Sequence, residues 1–245
     1  MPAKNVESLK SFSLQSGRII ARKYEVLEKL GEGWEGEVYK FRDIRTGIDH
    51  AAKLFFPHRD PEDKAVIAYA HRLYRLRHCE MVIRYHTEES IQLKGAPVTI
   101  LISEFIEGEI LESFVQRQTG KRLSPFVALH LLHALARGME EIHNLGEYHG
   151  DLHTENIMVV NHGLGFDLRL MDMYNWGKTT AAHRHCDTVD MIRLFYDVLG
   201  GQKHYAKMPR SVKQICCGLK RTLILKKYKN AGELKQYLEK FTWQD

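Results

Sequence analysis

The stretch Glu147-Tyr148-His149-Gly150-Asp151-Leu152-His153-Thr154-Glu155-Asn156-Ile157-Met158 decides how this chain is read. It sets an acid, Asp151, five residues before an amide, Asn156, and the apolar run Ile157-Met158-Val159-Val160 that follows reads as a short buried strand. Asp151 to Asn156 are therefore expected in a loop at the mouth of that strand, where a rigid scaffold commonly carries chemistry. An aspartate there can accept a proton. An asparagine carbonyl five residues on can hold a metal ion.

Working outward, Leu168-Arg169-Leu170-Met171-Asp172-Met173-Tyr174 alternates and places a second acid, Asp172, at a strand end. Beyond it a helix is predicted from Thr188 to Leu199, with Val189, Ile192, Phe195, Tyr196 and Leu199 on one side, and a last one, capped by Asn230, runs to Phe241. Upstream, Ser124-Pro125 opens a helix carrying Leu129, Leu132, Leu135, Met139 and Ile142. Before residue 107 the pattern changes to strands. Tyr24 to Leu30 alternates, Val38 to Phe41 follows, and a turn at Thr46-Gly47 leads into Ala51-Ala52-Lys53-Leu54-Phe55-Phe56, an antiparallel meander. Pro97 to Ile106 is another strand, broken by Glu107-Gly108. One helix interrupts them, with Asp60 as N-cap, Pro61 at its first position and an apolar stripe of Val66, Ile67, Ala70, Leu73 and Leu76. The boundary falls at 106/107, with residues 1–106 forming a strand-rich part and 107–245 a helical one.

Gly31-Glu32-Gly33-Trp34-Glu35-Gly36 joins the first two strands. A G-x-G-x-x-G that bound a dinucleotide would open a helix. Here alternation resumes after Gly36, so the glycines lie in a strand-turn-strand. The simplest account is a hairpin using the tolerance of glycine for positive φ; the functional one is a loop folded over phosphates. Glu35 puts a carboxylate near that loop's tip, where it is expected to point outward.

Composition narrows the classes. The 245 residues are 44% hydrophobic and 27% charged, as in ordinary globular proteins, and suffice for one large core or two lobes. A net charge of +5 suits a phosphate-bearing ligand without calling for nucleic acid, which is not expected as a partner. No run approaches a membrane span, and Met1 to Gly17 has no apolar signal-peptide core, so no membrane association and a cytoplasmic location are expected. Cys79, Cys186, Cys216 and Cys217 lack the spacing of a disulfide framework or zinc site, and His183-Arg184-His185-Cys186 has no second ligand pair to complete one.

Glycine loop, lysine on the third strand, Glu-Phe-Ile segment, H-x-D-L-x-x-x-N and an acid ending a strand occur in one order, and that order resembles the protein-kinase superfamily from about Lys23 to Phe241. The resemblance implies an α+β, bilobal protein-kinase-like fold, with a small antiparallel-sheet N-lobe bearing one main helix and a larger, mainly helical C-lobe. It also implies ATP and Mg²⁺. Gly31, Gly33 and Gly36 would cover the triphosphate, Val38 and Ala51 would sandwich the adenine with Met158 below, and the backbone of Glu104 and Ile106 would bond its edge. Ser103 would stand behind that pocket. Lys53 would neutralise phosphates, Asp151 would take the proton from the attacking hydroxyl, and Asn156 and Asp172 would hold the metal.

The departures shape the expected acceptor. Tyr69 stands where such kinases carry the helix glutamate that pairs with the strand lysine, leaving Lys53 to Asp172 alone or to Glu62. Gly150 replaces an arginine, His153 a lysine, and HGDLH is similar to the loop of small-molecule kinases such as aminoglycoside phosphotransferases. Met173-Tyr174 follows the metal-binding acid in place of Phe-Gly, and only 14 residues separate Asp172 from Asp187, the acid expected to brace the loop. There is no room for a long activation segment. The leading expectation is a serine/threonine-kinase-like phosphotransferase; the alternatives are a kinase acting on a small-molecule hydroxyl and a pseudokinase that binds nucleotide or a partner without turnover.

Overall fold

The computed structural model describes residues 9–60, 62–163, 165–174 and 177–242. The chain divides into two compact units, Met1–Arg77 with Ile83–Ile106, and His78–Val82 with Glu107–Asp245. The first is a sheet with one helix and the second is mainly helical, which is the bilobal α+β class expected.

In the first unit β1 (Ile19–Ile20), β2 (Tyr24–Glu32), β3 (Gly36–Asp43), β4 (Asp49–Phe55), β5 (Tyr85–Leu93) and β6 (Ala96–Glu104) form an antiparallel sheet in the order β1-β2-β3-β4-β6-β5. The predicted turn joins β3 to β4. Asp43 Oδ1 accepts from the N–H groups of Arg45 and Thr46 at 2.9 and 2.8 Å. Directly paired residues share a face of a sheet, so the pairings Val38–Lys53, Lys53–Leu101 and Ala51–Ser103 put these five side chains together. The opposite face, with Tyr39, Phe41, Ala52, Leu54, Ile100 and Ile102, is the unit's core.

The segment before β1 covers that core face. Phe12 and Leu14 are buried in it, and the Phe12 ring stacks on Phe56 at 5.0 Å. Backbone donors buried with them need acceptors. The Phe12 N–H donates to Glu37 Oε2 and the Leu14 N–H to the Tyr39 hydroxyl oxygen, each at 3.3 Å. Glu37 is fully buried, a position that is costly unless the carboxylate is paired. Lys29 Nζ lies 3.0 Å from its Oε1, and the Tyr39 hydroxyl donates to its Oε2. Burial alone would raise the Glu37 pKa; hydrogen bonds from Tyr39 and Lys29 outweigh it and hold the carboxyl below its ordinary value.

The helix of this unit, α1 (Lys64–Arg75), starts later than the predicted Asp60, and Pro61 lies outside the described residues. Asp60 still serves its first turn, since its Oδ2 accepts from the Ala65 and Val66 N–H groups at 2.8 and 3.0 Å. Val66, Ala70, Leu73 and Leu76 are buried as expected. Ile67 is 47% exposed, however, and Tyr69 is buried instead.

The second unit comprises β7 (Glu109–Ile110), α2 (Leu111–Gln116), α3 (Pro125–Asn144), β8 (Ile157–His162), β9 (Phe166–Leu170), α4 (Ala181–Val198), α5 (Gly201–Tyr205), α6 (Arg210–Cys216), α7 (Arg221–Lys227) and α8 (Ala231–Glu239). Ser124 caps α3 by accepting from the Val127 N–H, and Leu132, Leu135, Met139 and Ile142 are fully buried where α3 packs against α4 and α8. Asn230 caps α8 through the Glu233 N–H at 2.9 Å. The α4 helix begins seven residues before the predicted Thr188, with Thr180 accepting from the His183 N–H. Its first turns, Ala181 to Cys186, carry no apolar stripe from which periodicity could have marked them. Cys216 ends α6 and Cys217 follows in a left-handed conformation; burial pushes the Cys216 thiol up to about 12, which leaves it protonated and inert at neutral pH. No helix among the described residues is long and apolar enough to cross a membrane.

Removing the Phe12 ring would open a void between the N-terminal segment and the sheet. Phe12→Ala is expected to destabilise the protein by about 3 kcal/mol, read as a lower urea midpoint in fluorescence-monitored unfolding.

Candidate active site

In the first unit, β4 presents Ala51 and Lys53 on the sheet face opposite the core, with Val38 beside them on β3. Ser103 donates to the Ala51 carbonyl at 3.4 Å, Glu104 ends β6, and Ile106 lies past the end of the ladder. Gly31 is in β2, Gly33 in the turn, and Gly36 opens β3. A Cβ on Gly36 would lie 1.8 Å from the Leu54 carbonyl oxygen, so strand pairing demands glycine there. At Gly31 and Gly33 a Cβ would meet nothing within 4 Å. None of the three has positive φ, so the simple hairpin account of these glycines does not hold. Neither packing nor backbone conformation explains Gly31 and Gly33, and their bare backbone suits a ligand lying close.

Glu35 does not point outward. Its Oε2 accepts from Lys53 Nζ at 2.8 Å, an ion pair within the unit. Pairing of β3 with β4 brings the Lys53 ammonium under the loop, and its attraction draws the carboxylate inward, against the outward direction expected from phosphate repulsion alone. Glu62 pairs with Lys64 at 2.6 Å, so the predicted reach of Glu62 to Lys53 is not what the fold adopts. Tyr69 approaches Lys53 as a ring, its centroid 5.5 Å from the ammonium.

In the second unit the loop between α3 and β8 is held from beneath by Asp187 of α4, which is fully buried. One carboxylate oxygen, Oδ2, accepts from the His149 N–H at 2.8 Å and from His143 Nε2 at 3.0 Å; the other accepts from the Gly150 N–H at 2.8 Å. Gly150 has φ 83°, a left-handed conformation that glycine takes without strain. His149 is wholly buried, and burial lowers its pKa, so it is neutral. Its Nε2–H then donates to the Met171 carbonyl at 3.1 Å while Nδ1 accepts from the Asp151 N–H at 3.3 Å. One ring thus ties the acid's backbone to the residue before Asp172.

Asn156 completes the loop in a single 3-10 turn, Thr154–Asn156. Its amide Nδ2 donates to the Asp151 carbonyl at 2.9 Å and lies 3.3 Å from Asp151 Oδ2 and 2.9 Å from His153 Nε2. That orientation turns Oδ1 away from the acid. The pairing of Ile157 with Leu170, and the Met171 N–H donating to the Asn156 carbonyl at 3.1 Å, bring Asn156 and Asp172 to adjacent strand ends. Asn156 Oδ1 and the half-buried Asp172 carboxylate are hard oxygen donors of the kind a magnesium ion takes. Met158 is half-buried on β8, paired with Arg169. After Asp172 the Tyr174 N–H donates to the His149 carbonyl at 2.9 Å, and the Tyr148 hydroxyl donates to the Gly177 carbonyl at 3.1 Å.

Sequence reasoning did not find the Glu35–Lys53 pair or the parts played by His143 and His149. Only the position of His149, two residues before the acid, was a signal.

A family model described as Protein kinase domain matches residues 24–196. The chain is 28% identical over 193 residues to cyclin-dependent kinase B2-2 of Arabidopsis thaliana, covering 75% of this chain and 59% of that protein. It is 31% identical over 159 residues to serine/threonine-protein kinase pkn2 of Myxococcus xanthus, covering 63% of this chain and 18% of the relative. It is 27% identical over 169 residues to CBL-interacting protein kinase 22 of Oryza sativa, covering 64% of this chain and 37% of the relative. The chain therefore spans less than two thirds of the length of each.

Asp187→Ala would leave the buried N–H groups of His149 and Gly150 without their acceptor. A loss of about 3 kcal/mol is expected, measurable by thermal unfolding, together with faster amide exchange at those two residues.

Proposed function

The chain belongs to the protein kinase family, and from that premise we propose that it is an ATP- and Mg²⁺-dependent phosphotransferase that moves the γ-phosphate to a serine or threonine hydroxyl of a protein. The observation that carries this reading is the exposed Asp151 carboxylate on a loop fixed by Asp187, His149 and Asn156. A proton acceptor must meet the hydroxyl, and its backbone must not move when it does. Here the acid is open to solvent while its backbone and its neighbours are bonded from within.

In this proposal the glycine loop and Lys53 bind the phosphates. Val38 and Ala51 are the adenine contacts from the first unit and Met158 the one from the second, and the backbone of Glu104 and Ile106 bonds the adenine edge. Asp151 accepts the proton of the attacking hydroxyl, and Asn156 and Asp172 hold the metal. Magnesium, when bound, neutralises charge on the transferring phosphate oxygens. His153 adds a second neighbour to Asn156 and orients its amide.

A second reading takes a small-molecule hydroxyl as acceptor. The spacing supports it: only 14 residues separate Asp172 from Asp187, too short a segment for the long platform on which a peptide substrate would dock.

Asp151→Asn is expected to abolish transfer of labelled phosphate while Mg-ATP binding stays within about twofold of wild type. Equal turnover in the two proteins would remove Asp151 from the chemistry. Mg-ATP should raise the melting temperature of wild type, with the shift lost in Lys53→Ala and Asp172→Ala; a wild-type protein that ATP does not stabilise would point to a scaffold. Labelled ATP incubated with size-fractionated lysate identifies the acceptor: label on macromolecules supports the protein substrate, label on small solutes the second reading.

A further inference from the structure

The tip of the glycine loop is tied down at two places, and together they decide where its carboxylate goes. The Phe56 N–H donates to the Glu35 carbonyl at 2.8 Å, which fastens the tip to the residue after β4. One residue earlier the Trp34 ring lies 4.6 Å from the Arg59 guanidinium carbon. With the backbone so placed, Glu35 Oε2 reaches Lys53 Nζ at 2.8 Å. The Lys53 side chain is only 14% exposed and its ammonium is flanked by the rings of Phe55 and Tyr69, at 5.2 and 5.5 Å. Attraction between opposite charges is stronger in such poorly hydrated surroundings than between two exposed groups.

We propose that Glu35 is an internal anion that competes with nucleotide phosphates for Lys53, so that the loop tip sets how tightly a triphosphate binds. The proposal deepens the nucleotide-binding reading above and rests on it. A carboxylate oxygen at 2.8 Å fills one of the positions from which a phosphate oxygen would meet the ammonium. It also repels any phosphate approaching beside it. Binding of a phosphate at Lys53 therefore requires the Glu35 side chain to turn away, and the free energy of the ion pair is subtracted from that of binding. Adenosine, which has no phosphate, makes no demand on Lys53. A carboxylate that instead held Lys53 in place for the phosphates would have the opposite effect, since its loss would weaken phosphate binding.

Titration calorimetry on the full chain with Mg-ATP and with adenosine separates these outcomes in wild type and Glu35→Gln. The expected result is about tenfold tighter Mg-ATP binding in Glu35→Gln and an unchanged adenosine affinity, which also reports a folded pocket. Equal or weaker Mg-ATP binding by the variant, with adenosine bound alike, overturns the competition and leaves the nucleotide site standing. Tighter binding of both ligands by the same factor overturns it too, because the effect would not run through phosphate. Absence of binding of either ligand to either protein overturns the nucleotide reading and the proposal together.

Discussion

Three donors converge on the carboxylate of Asp187: the N–H groups of His149 and Gly150 and the Nε2 of His143. Fully buried, the charge would be prohibitive without them, and the two amides would be orphaned without it. The requirement is mutual, so the loop between α3 and β8 has one position relative to α4. From that position the rest of the site follows by short steps: His149 bonds both Asp151 and Met171, and Met171 in turn bonds Asn156. The acid itself stays exposed, because most of the bonds fall on its backbone and neighbours, and its carboxylate, approached by Asn156 Nδ2 at 3.3 Å, remains 54% open to solvent.

The first unit uses a buried carboxylate in a comparable way. Glu37 of β3 gathers the Tyr39 hydroxyl, the Lys29 ammonium and the Phe12 N–H, and so fastens the N-terminal segment over the core face of the sheet. Two residues earlier Glu35 meets Lys53 near the other face. The contrast is in enclosure: the Glu37 side chain is 1% exposed and the Glu35 side chain 33%. A carboxylate sealed under aromatic rings serves packing. One at a loop tip, paired with a lysine, can exchange its partner.

Much of this was legible in the sequence wherever a signal was local. Ser124 before Pro125 and Asn230 before the last helix are caps whose acceptors act within three residues, and both helices begin where expected. The alternation from Lys23 to Phe56 and the turn at Thr46-Gly47 likewise depend on neighbours in the chain. The start of α4 was hidden because Ala181 to Cys186 carries no apolar stripe, its burial beginning only at Asp187. The exchange of Ile67 for Tyr69 in the buried face of α1 shows the limit of periodicity, which finds a helix but not the rotation at which it packs.

The sequence by itself determined the two-part α+β organisation, the order of the motifs and the spacing of Asp151, Asn156 and Asp172, since all three are properties of short windows of chain. Only the tertiary structure decided the partners of the charges. Glu35 and Lys53 are 18 residues apart, and nothing in either local pattern marks the other; Asp187, 38 residues from His149, was expected beneath the loop through the family resemblance, but its donors were not. Each pair forms because strand register or helix packing brings two groups within hydrogen-bond reach where water is scarce. Electrostatics selects partners by distance through space, and that distance exists only once the chain has folded.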